Sequence, residues 1–313
     1  MSKEGKMNKK VPVLEVKDLS IAFNMYDKGL NKKDLEVIHM LTLNVMEGEI
    51  VAVVGSSGSG KSILAHAIMG ILPNNAKTSG EIKFYNKELD KKSLKELRGN
   101  EIAFIPQSVD FLDPLMKIDK QVIGINGDKK KQKDIFKKYN LKPEVEQMYP
   151  FQLSGGMARR VLITTAVMGN SKLIIADEPT PGLSVDLAMD TLKHFRELAD
   201  NGCGVLLITH DIDLALNVAD RIAVFYSGTI VEIAKVSDFI KGKEALRHPY
   251  SKAFIDALPQ NEFKPLPGFQ PYVGNLPSGC LFAERCPMRN DECSRNIEMR
   301  KLRDGEVRCI NAT

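Results

Sequence analysis

The first residues able to do chemistry lie at 55–62, which read GSSGSGKS. The spacing G-x-x-x-x-G-K-[ST] puts Gly55, Gly58 and Gly60 where backbone N–H groups can curl around phosphate oxygens. Ser56, Ser57 and Ser59 complete that cradle. Lys61 supplies an ammonium for the β- and γ-phosphates, and the Ser62 hydroxyl supplies a hard oxygen for Mg²⁺. A second cluster closes residues 173–178, LIIADE. Four apolar residues deliver Asp177 and Glu178 to the carboxyl end of a strand, where open α/β sheets bind their ligands. Asp177 suits Mg²⁺, directly or through water. Glu178 suits a base that takes a proton from an attacking water.

Elements of the right kind surround both clusters. Ile50–Val54 (IVAVV) is a continuous apolar run, as a fully buried parallel strand requires. A helical stretch from Ile63 to Leu72 follows the glycine loop, so the positive end of its dipole faces the phosphate. Leu173–Ala176 and Val205–Thr209 are further buried strands, with helical spacing over Leu187–Leu198 between them, which implies a mostly parallel sheet. Leu14–Phe23, Leu41–Val45 and Glu81–Tyr85 alternate apolar and polar residues as half-buried strands. Lys28–Asp34 reads as a polar, Lys-rich turn, and Lys129–Lys138 as the solvated face of a helix. Ile222–Tyr226 and Thr229–Ile233 form a hairpin around Ser227-Gly228. Residues 234–313 have more proline and little periodicity. They read as a small appended domain that needs something besides a core to hold it.

Composition narrows the class. The chain has 313 residues, enough for about two domains. A net charge of +4 excludes a charge-driven nucleic-acid arm, and no nucleic-acid partner is expected. Hydrophobic residues at 43% and charged residues at 27% are ordinary globular values and exclude global disorder. No stretch reaches the ~18 uncharged apolar residues of a membrane span. The start, MSKEGKMNKK, lacks the apolar core of a secretory signal, so a cytoplasmic location is expected, with any membrane role exercised through a partner. Cys203 lies in an apolar stretch and reads as a packed residue. Cys280, Cys286, Cys293 and Cys309 crowd the C-terminal tail, where a metal is a better expectation than disulfides in a reducing compartment.

Three more motifs separate this chain from other nucleoside triphosphatases. Leu153–Met157 reads LSGGM, Gln107 follows the apolar strand Ile102–Ile105, and His210 ends the strand Val205–Thr209. With this order of motifs, residues 12–235 resemble an ABC transporter ATPase subunit. The resemblance implies a P-loop NTPase of α/β class with a mixed sheet, an antiparallel β subdomain and a helical subdomain at about 108–168. It implies ATP and Mg²⁺ as ligands, with Ser62, Gln107 and Asp177 around the metal. Glu178, His210 and Gln107 are the expected catalytic residues, with His210 binding the γ-phosphate and positioning Glu178. Two subunits would sandwich two ATP molecules, so Ser154, Gly155 and Gly156 would contact the partner's nucleotide. Phe23 stands where the family stacks an aromatic on adenine, with Tyr26 a close competitor and core packing the other role open to Phe23.

Departures from the family pattern are also legible. Ser184 follows Pro181-Gly182-Leu183 where an Asp is usual, and the nearest Asp is Asp186. Ala158 replaces a basic or polar residue, and the segment between Gln107 and the signature is short. In the tail, His248-Pro249-Tyr250 and the Met157 form of the signature resemble the dipeptide, oligopeptide and nickel importer branch. Residues 236–313 then correspond to that branch's C-terminal region. Intervals of five, six and fifteen residues between its cysteines do not match paired zinc knuckles. Four thiolates can hold Zn²⁺ or a [4Fe–4S] cluster, and the resemblance implies the cluster.

The function implied is ATP hydrolysis driving import of di- or oligopeptides. Its expected partners are a second ATPase subunit (the same chain or a related one), two membrane permeases and, indirectly, an extracytoplasmic solute-binding protein. The chain would lie peripherally on the cytoplasmic face of the membrane. Nickel or nickel-chelate import is the alternative within the branch. A soluble ABC protein acting on ribosomes or DNA is the alternative outside it.

Overall fold

The computed structural model describes residues 11–26, 31–56, 58–124, 127–261 and 263–313. The chain begins with β1 (Pro12–Tyr26), β2 (Lys32–Met46) and β3 (Ile50–Val54), followed by α1 (Lys61–Ile68). Next come β4 (Ala76–Phe84), β5 (Lys87–Glu88), α2 (Lys91–Leu97) and β6 (Ile102–Ile105). A helical region carries α3 (Ile118–Ile123), α4 (Lys129–Lys138) and α5 (Gly155–Val167). β7 (Leu173–Asp177), α6 (Val185–Asp200), β8 (Gly204–Thr209) and α7 (Ile212–Val218) then alternate. β9 (Arg221–Tyr226) and β10 (Thr229–Lys235) form the hairpin around Ser227-Gly228, and α8 (Val236–Ile240) and α9 (Pro249–Asp256) follow. Two short strands, β11 (Arg300–Leu302) and β12 (Gly305–Val307), close the chain.

Among the described residues the strands make two sheets. One is antiparallel, in the order β2-β1-β4-β5, and the other has eight strands in the order β11-β12-β10-β9-β3-β8-β7-β6. In the larger sheet β9, β3, β8, β7 and β6 run parallel, and β10, β12 and β11 are antiparallel to their neighbours. The run IVAVV is explained by burial on both faces. Ile50, Ala52 and Val54 join a core shared with α5, α6 and the tail, whereas Val51 and Val53 join the core under the antiparallel sheet. Period-2 geometry sends alternate side chains to opposite faces, so a strand covered on both sides has no polar position.

Two expectations are corrected. Lys32–Asp34 is not turn but strand, paired with Asn24–Tyr26 of β1, and the part of that segment at 27–30 lies outside the described residues. β2 is an edge strand, where charged side chains are tolerated. Asp34 there accepts hydrogen bonds from Asn24 and Lys77, both at 2.6 Å. The tail is also not a separate appendage to the sheet. β12 pairs with β10, with Glu232 opposite Val307, and so covers what would otherwise be an open edge. Strands of three residues are too short to leave a period in the sequence.

The His248-Pro249-Tyr250 motif has a structural basis. His248 Nδ1 caps α9 by accepting from the Tyr250 amide at 3.0 Å, and Pro249 occupies the first helical position. Tyr250 packs on Tyr226 at the end of β9 and on Phe282 of the tail, with ring centroids 4.4 and 5.4 Å apart. Beside them Glu232 of β10, fully buried, pairs with Arg247 at 3.3 Å and accepts the amides of Arg247 and His248 at 2.8 Å each.

Candidate active site

Strand register builds the site. Val54 of β3 lies opposite Thr209 of β8, Asp177 of β7 opposite Ile208, and Ile105 of β6 opposite Ala176. The residues leaving these strands are therefore neighbours at the carboxyl end of the sheet: Gly55, Glu178, His210 and, two residues past Ile105, Gln107. The close approach at Gly55 admits no side chain, because a Cβ there would lie 2.6 Å from the Phe225 carbonyl oxygen. Gly60 caps α1 at φ 102°, a left-handed conformation that favours glycine.

Lys61, 5% exposed, donates to the carbonyls of Gly55 at 2.9 Å and Ser56 at 2.8 Å, which holds the loop curled over its own lysine. Burial pulls its ammonium below the ordinary lysine value, while Glu178 and Asp177 pull the other way. Ser59 Oγ donates to the Ser56 carbonyl at 2.7 Å. Gly58 belongs to the same turn at φ 73°, and Ser57 lies outside the described residues.

Burial pushes the Asp177 carboxyl up, and its hydrogen bond to Ser62 works against that. Asp177 Oδ1 is buried with no hydrogen-bond partner among the described residues. A hydroxyl and a carboxylate with a spare oxygen, both hard donors, fit Mg²⁺. Glu178 is held in the left-handed region at φ 48°, a strain on the order of 1 kcal/mol for a residue with a side chain. Its amide donates to the Ile208 carbonyl at 2.9 Å, and His210 Nδ1 lies 2.9 Å from both of its carboxylate oxygens. A carboxylate held by contacts from a neighbouring strand end has little freedom to turn away.

The Gln107 side chain is exposed. Its backbone is not free. Arg159 of α5 donates to the Pro106 carbonyl at 2.8 Å and also to the Gln107 carbonyl. Burial lowers the Arg159 value against the attraction of Asp177 and Glu178. The sequence analysis did not single out this arginine. Its signal was a charge on the apolar face of a helix, between Ala158 and Leu162, which requires a buried partner.

Ser154, Gly155 and Gly156 open α5. Ser154 Oγ accepts from the Met157 amide at 3.3 Å, and Ser154 and Gly155 are exposed. Gly156, Arg160, Gly182, Ser184 and Asp186 line a surface groove of about 460 Å³, so the signature and the loop after Glu178 share one face. Phe23 is half-buried against the core of the antiparallel sheet, while Tyr26 is 67% exposed with the Lys32 ammonium over its ring at 5.3 Å.

The sequence reading expects a metal at Cys280, Cys286, Cys293 and Cys309. Among the described residues, no group of three or more His, Cys, Asp or Glu is placed to hold a metal ion. The thiols are nevertheless close enough to feel one another. Burial, with a further push from Cys309, Cys293 and Cys286, raises Cys280 to about 11. Burial also pushes Cys286 and Cys309 up. Metal binding would have to displace those thiol protons.

Comparison with known proteins agrees with this arrangement. Residues 38–181 match the ABC transporter family, and residues 231–293 match the oligopeptide/dipeptide transporter C-terminal region. A bacterial ABC transporter cassette solved as a dimer superimposes with a TM-score of 0.63 at 27% identity, covering 71% of this chain and 98% of that one. The same cassette was solved in a post-hydrolysis state with ADP and Pi, at 26% identity and a TM-score of 0.63. Fold and site thus define an ABC-type ATP hydrolase.

Among curated relatives, the dipeptide transport ATP-binding protein DppD of Haemophilus influenzae is 33% identical, over 95% of this chain and 94% of its own. The oligopeptide transport ATP-binding protein OppD of Bacillus subtilis is 35% identical over 87% and 81%. The chain belongs to the oligopeptide/dipeptide family of ABC transporter ATP-binding proteins.

Proposed function

We propose that the chain is the ATP-hydrolysing subunit that powers uptake of di- and oligopeptides through separate membrane permeases. The observation that carries this reading is the Glu178–His210 pair, fixed beside Lys61 and Asp177, in a chain whose relatives named above are peptide-transport ATPases. Those names speak for peptides, not for nickel or a nickel chelate.

The amides of residues 55–60 and Lys61 hold the β- and γ-phosphates of ATP. Glu178 accepts a proton from water as the water oxygen bonds to the γ-phosphorus. The bond from that phosphorus to the β–γ bridging oxygen breaks, leaving ADP and phosphate. His210 keeps the Glu178 carboxylate turned toward the water. Ser62 and Asp177 would hold Mg²⁺, which neutralises phosphate charge when bound. Gln107 senses the site from the end of β6. Phe23 faces adenine, and Ser154, Gly155 and Gly156 reach the nucleotide of a second ATPase subunit. The exposure of Ser154 and Gly155 at the start of a 13-residue helix supports that assignment.

Docking to permeases on the cytoplasmic face is supported by the apolar surface of the helical region. Phe111 is 56% exposed, Leu115 87% and Phe151 76%. Among the described residues no helix is long and apolar enough to cross a membrane. For the tail cysteines the reading remains a [4Fe–4S] cluster, with Zn²⁺ as the other occupant. It is supported by the approach of two of these cysteines, the Cys280 amide donating to the Cys293 carbonyl at 2.9 Å, and brown, iron-containing protein from anaerobic purification would bear it out.

The test is Glu178→Gln in vesicles carrying the permeases. ATP binding should persist while phosphate release and peptide uptake fall by at least about a hundredfold. Undiminished hydrolysis in that variant would remove Glu178 from its role. Hydrolysis without peptide-dependent uptake in the wild type would overturn the transport reading.

A further inference from the structure

The geometry points to Gln270, in the C-terminal tail, as a positioning residue of the nucleotide site. Gln270 Nε2 donates to Ser56 Oγ at 2.7 Å, joining residues 214 positions apart. Ser56 is a node of the phosphate loop, for its carbonyl already accepts from Lys61 Nζ and Ser59 Oγ. Its side chain is thus held from the tail while its main chain is held from within the loop.

The segment that carries Gln270 is anchored on both sides. On one side Arg285 donates to the Pro267 carbonyl at 2.9 Å and the Leu266 carbonyl at 3.1 Å. Arg285 itself rests on Tyr226 at the end of β9, with its guanidinium 5.9 Å from the ring centroid and 3.3 Å from the hydroxyl. On the other side Lys33 of β2 donates to the Gly274 carbonyl at 2.7 Å. Residues 266–274 therefore form a strap from the central sheet, past the phosphate loop, to the β1–β2 hairpin. Within that hairpin Phe23 pairs with Leu35. β2 also approaches the loop directly, since a Cβ on Gly60 would meet the Val37 carbonyl at 3.5 Å.

A glycine-rich loop loses much conformational freedom when it closes on phosphate. A hydrogen bond from a strap tied at both ends removes part of that freedom beforehand and raises affinity by pre-organisation. Main-chain amides grip phosphates in the ground state and the transition state alike. Gln270 therefore acts on KM and nucleotide dissociation, not on kcat. The inference rests on residues 55–62 being the nucleotide cradle.

The experiment is titration calorimetry of Mg²⁺-ADP with the full chain, together with steady-state phosphate release. Gln270→Ala should weaken ADP binding and raise the KM for ATP about fivefold, with kcat within about twofold of wild type. Because Gln270 works through the Ser56 hydroxyl, adding Gln270→Ala to Ser56→Ala should change the affinity no further. Unchanged affinity in Gln270→Ala, or two effects that simply add, would overturn the strap's role. Lys61→Ala is the separate control. If that variant binds ADP normally, the cradle itself is misplaced. If it loses binding while Gln270→Ala does not, only the strap proposal fails.

Discussion

Single side chains in this protein are placed by the ends of strands. Glu178 and His210 are 32 positions apart, yet adjacent parallel strands bring them to 2.9 Å. The same precision extends to histidines with no part in catalysis. Burial lowers His248 to about 3 and His194 to about 4. Both depressed values lie below that of the unfolded chain, near 6.5. The unfolded state therefore binds more protons as pH falls, and stability present above about pH 6.5 is lost on acidification. Each histidine contributes about 1.4 kcal/mol per pH unit over that window. Urea midpoints of the wild type and His248→Gln, measured from pH 7 to pH 5, should converge as pH falls, because the variant lacks one of the two titrations. Parallel curves would show that His248 is not buried neutral.

Among the elements, α5 links the two halves of the chemistry. Its N-terminus presents the signature, and one turn later Arg159 grips the backbone of Gln107. Any shift of the helical region is thereby passed to the loop that follows β6. Arg159→Met keeps the volume but removes the grip. It should lower kcat about tenfold with ADP affinity within about twofold, since Gln107 would lose its fixed position. Stability should change little, because burying a guanidinium is costly and a well-packed apolar replacement avoids that cost. An unaltered kcat would confine Arg159 to packing.

Over the whole molecule the tail is part of the motor. It adds β12 and β11 to the central sheet, closes an aromatic cluster over β9, and sends the Gln270 strap to the phosphate loop. The joint between tail and sheet is the buried pair Arg247–Glu232, with Asp238 a second partner of the arginine at 3.0 Å. Removing one member leaves the other charge uncompensated. Arg247→Ala should cost about 3–5 kcal/mol, and Glu232→Gln in the same chain should recover part of it. Thermal melts of the single and double variants check this. Equal melts for wild type and Arg247→Ala would mean that the tail is held by other contacts.

Chemistry and parallel-sheet character were legible in one dimension because they obey local rules. A phosphate loop needs its glycines and lysine at set intervals, and a strand buried on both faces must be apolar throughout, as Ile50–Val54 is. The polar stretch Lys32–Asp34 misled because solvated edge strands and turns share a composition. β11, β12, Arg159 and Gln270 left no periodic trace, since each is defined by a partner far along the chain. Such pairings arise only when the sheet closes and sets distant backbone groups at hydrogen-bond distance. Composition alone does not state which buried charge meets which carbonyl.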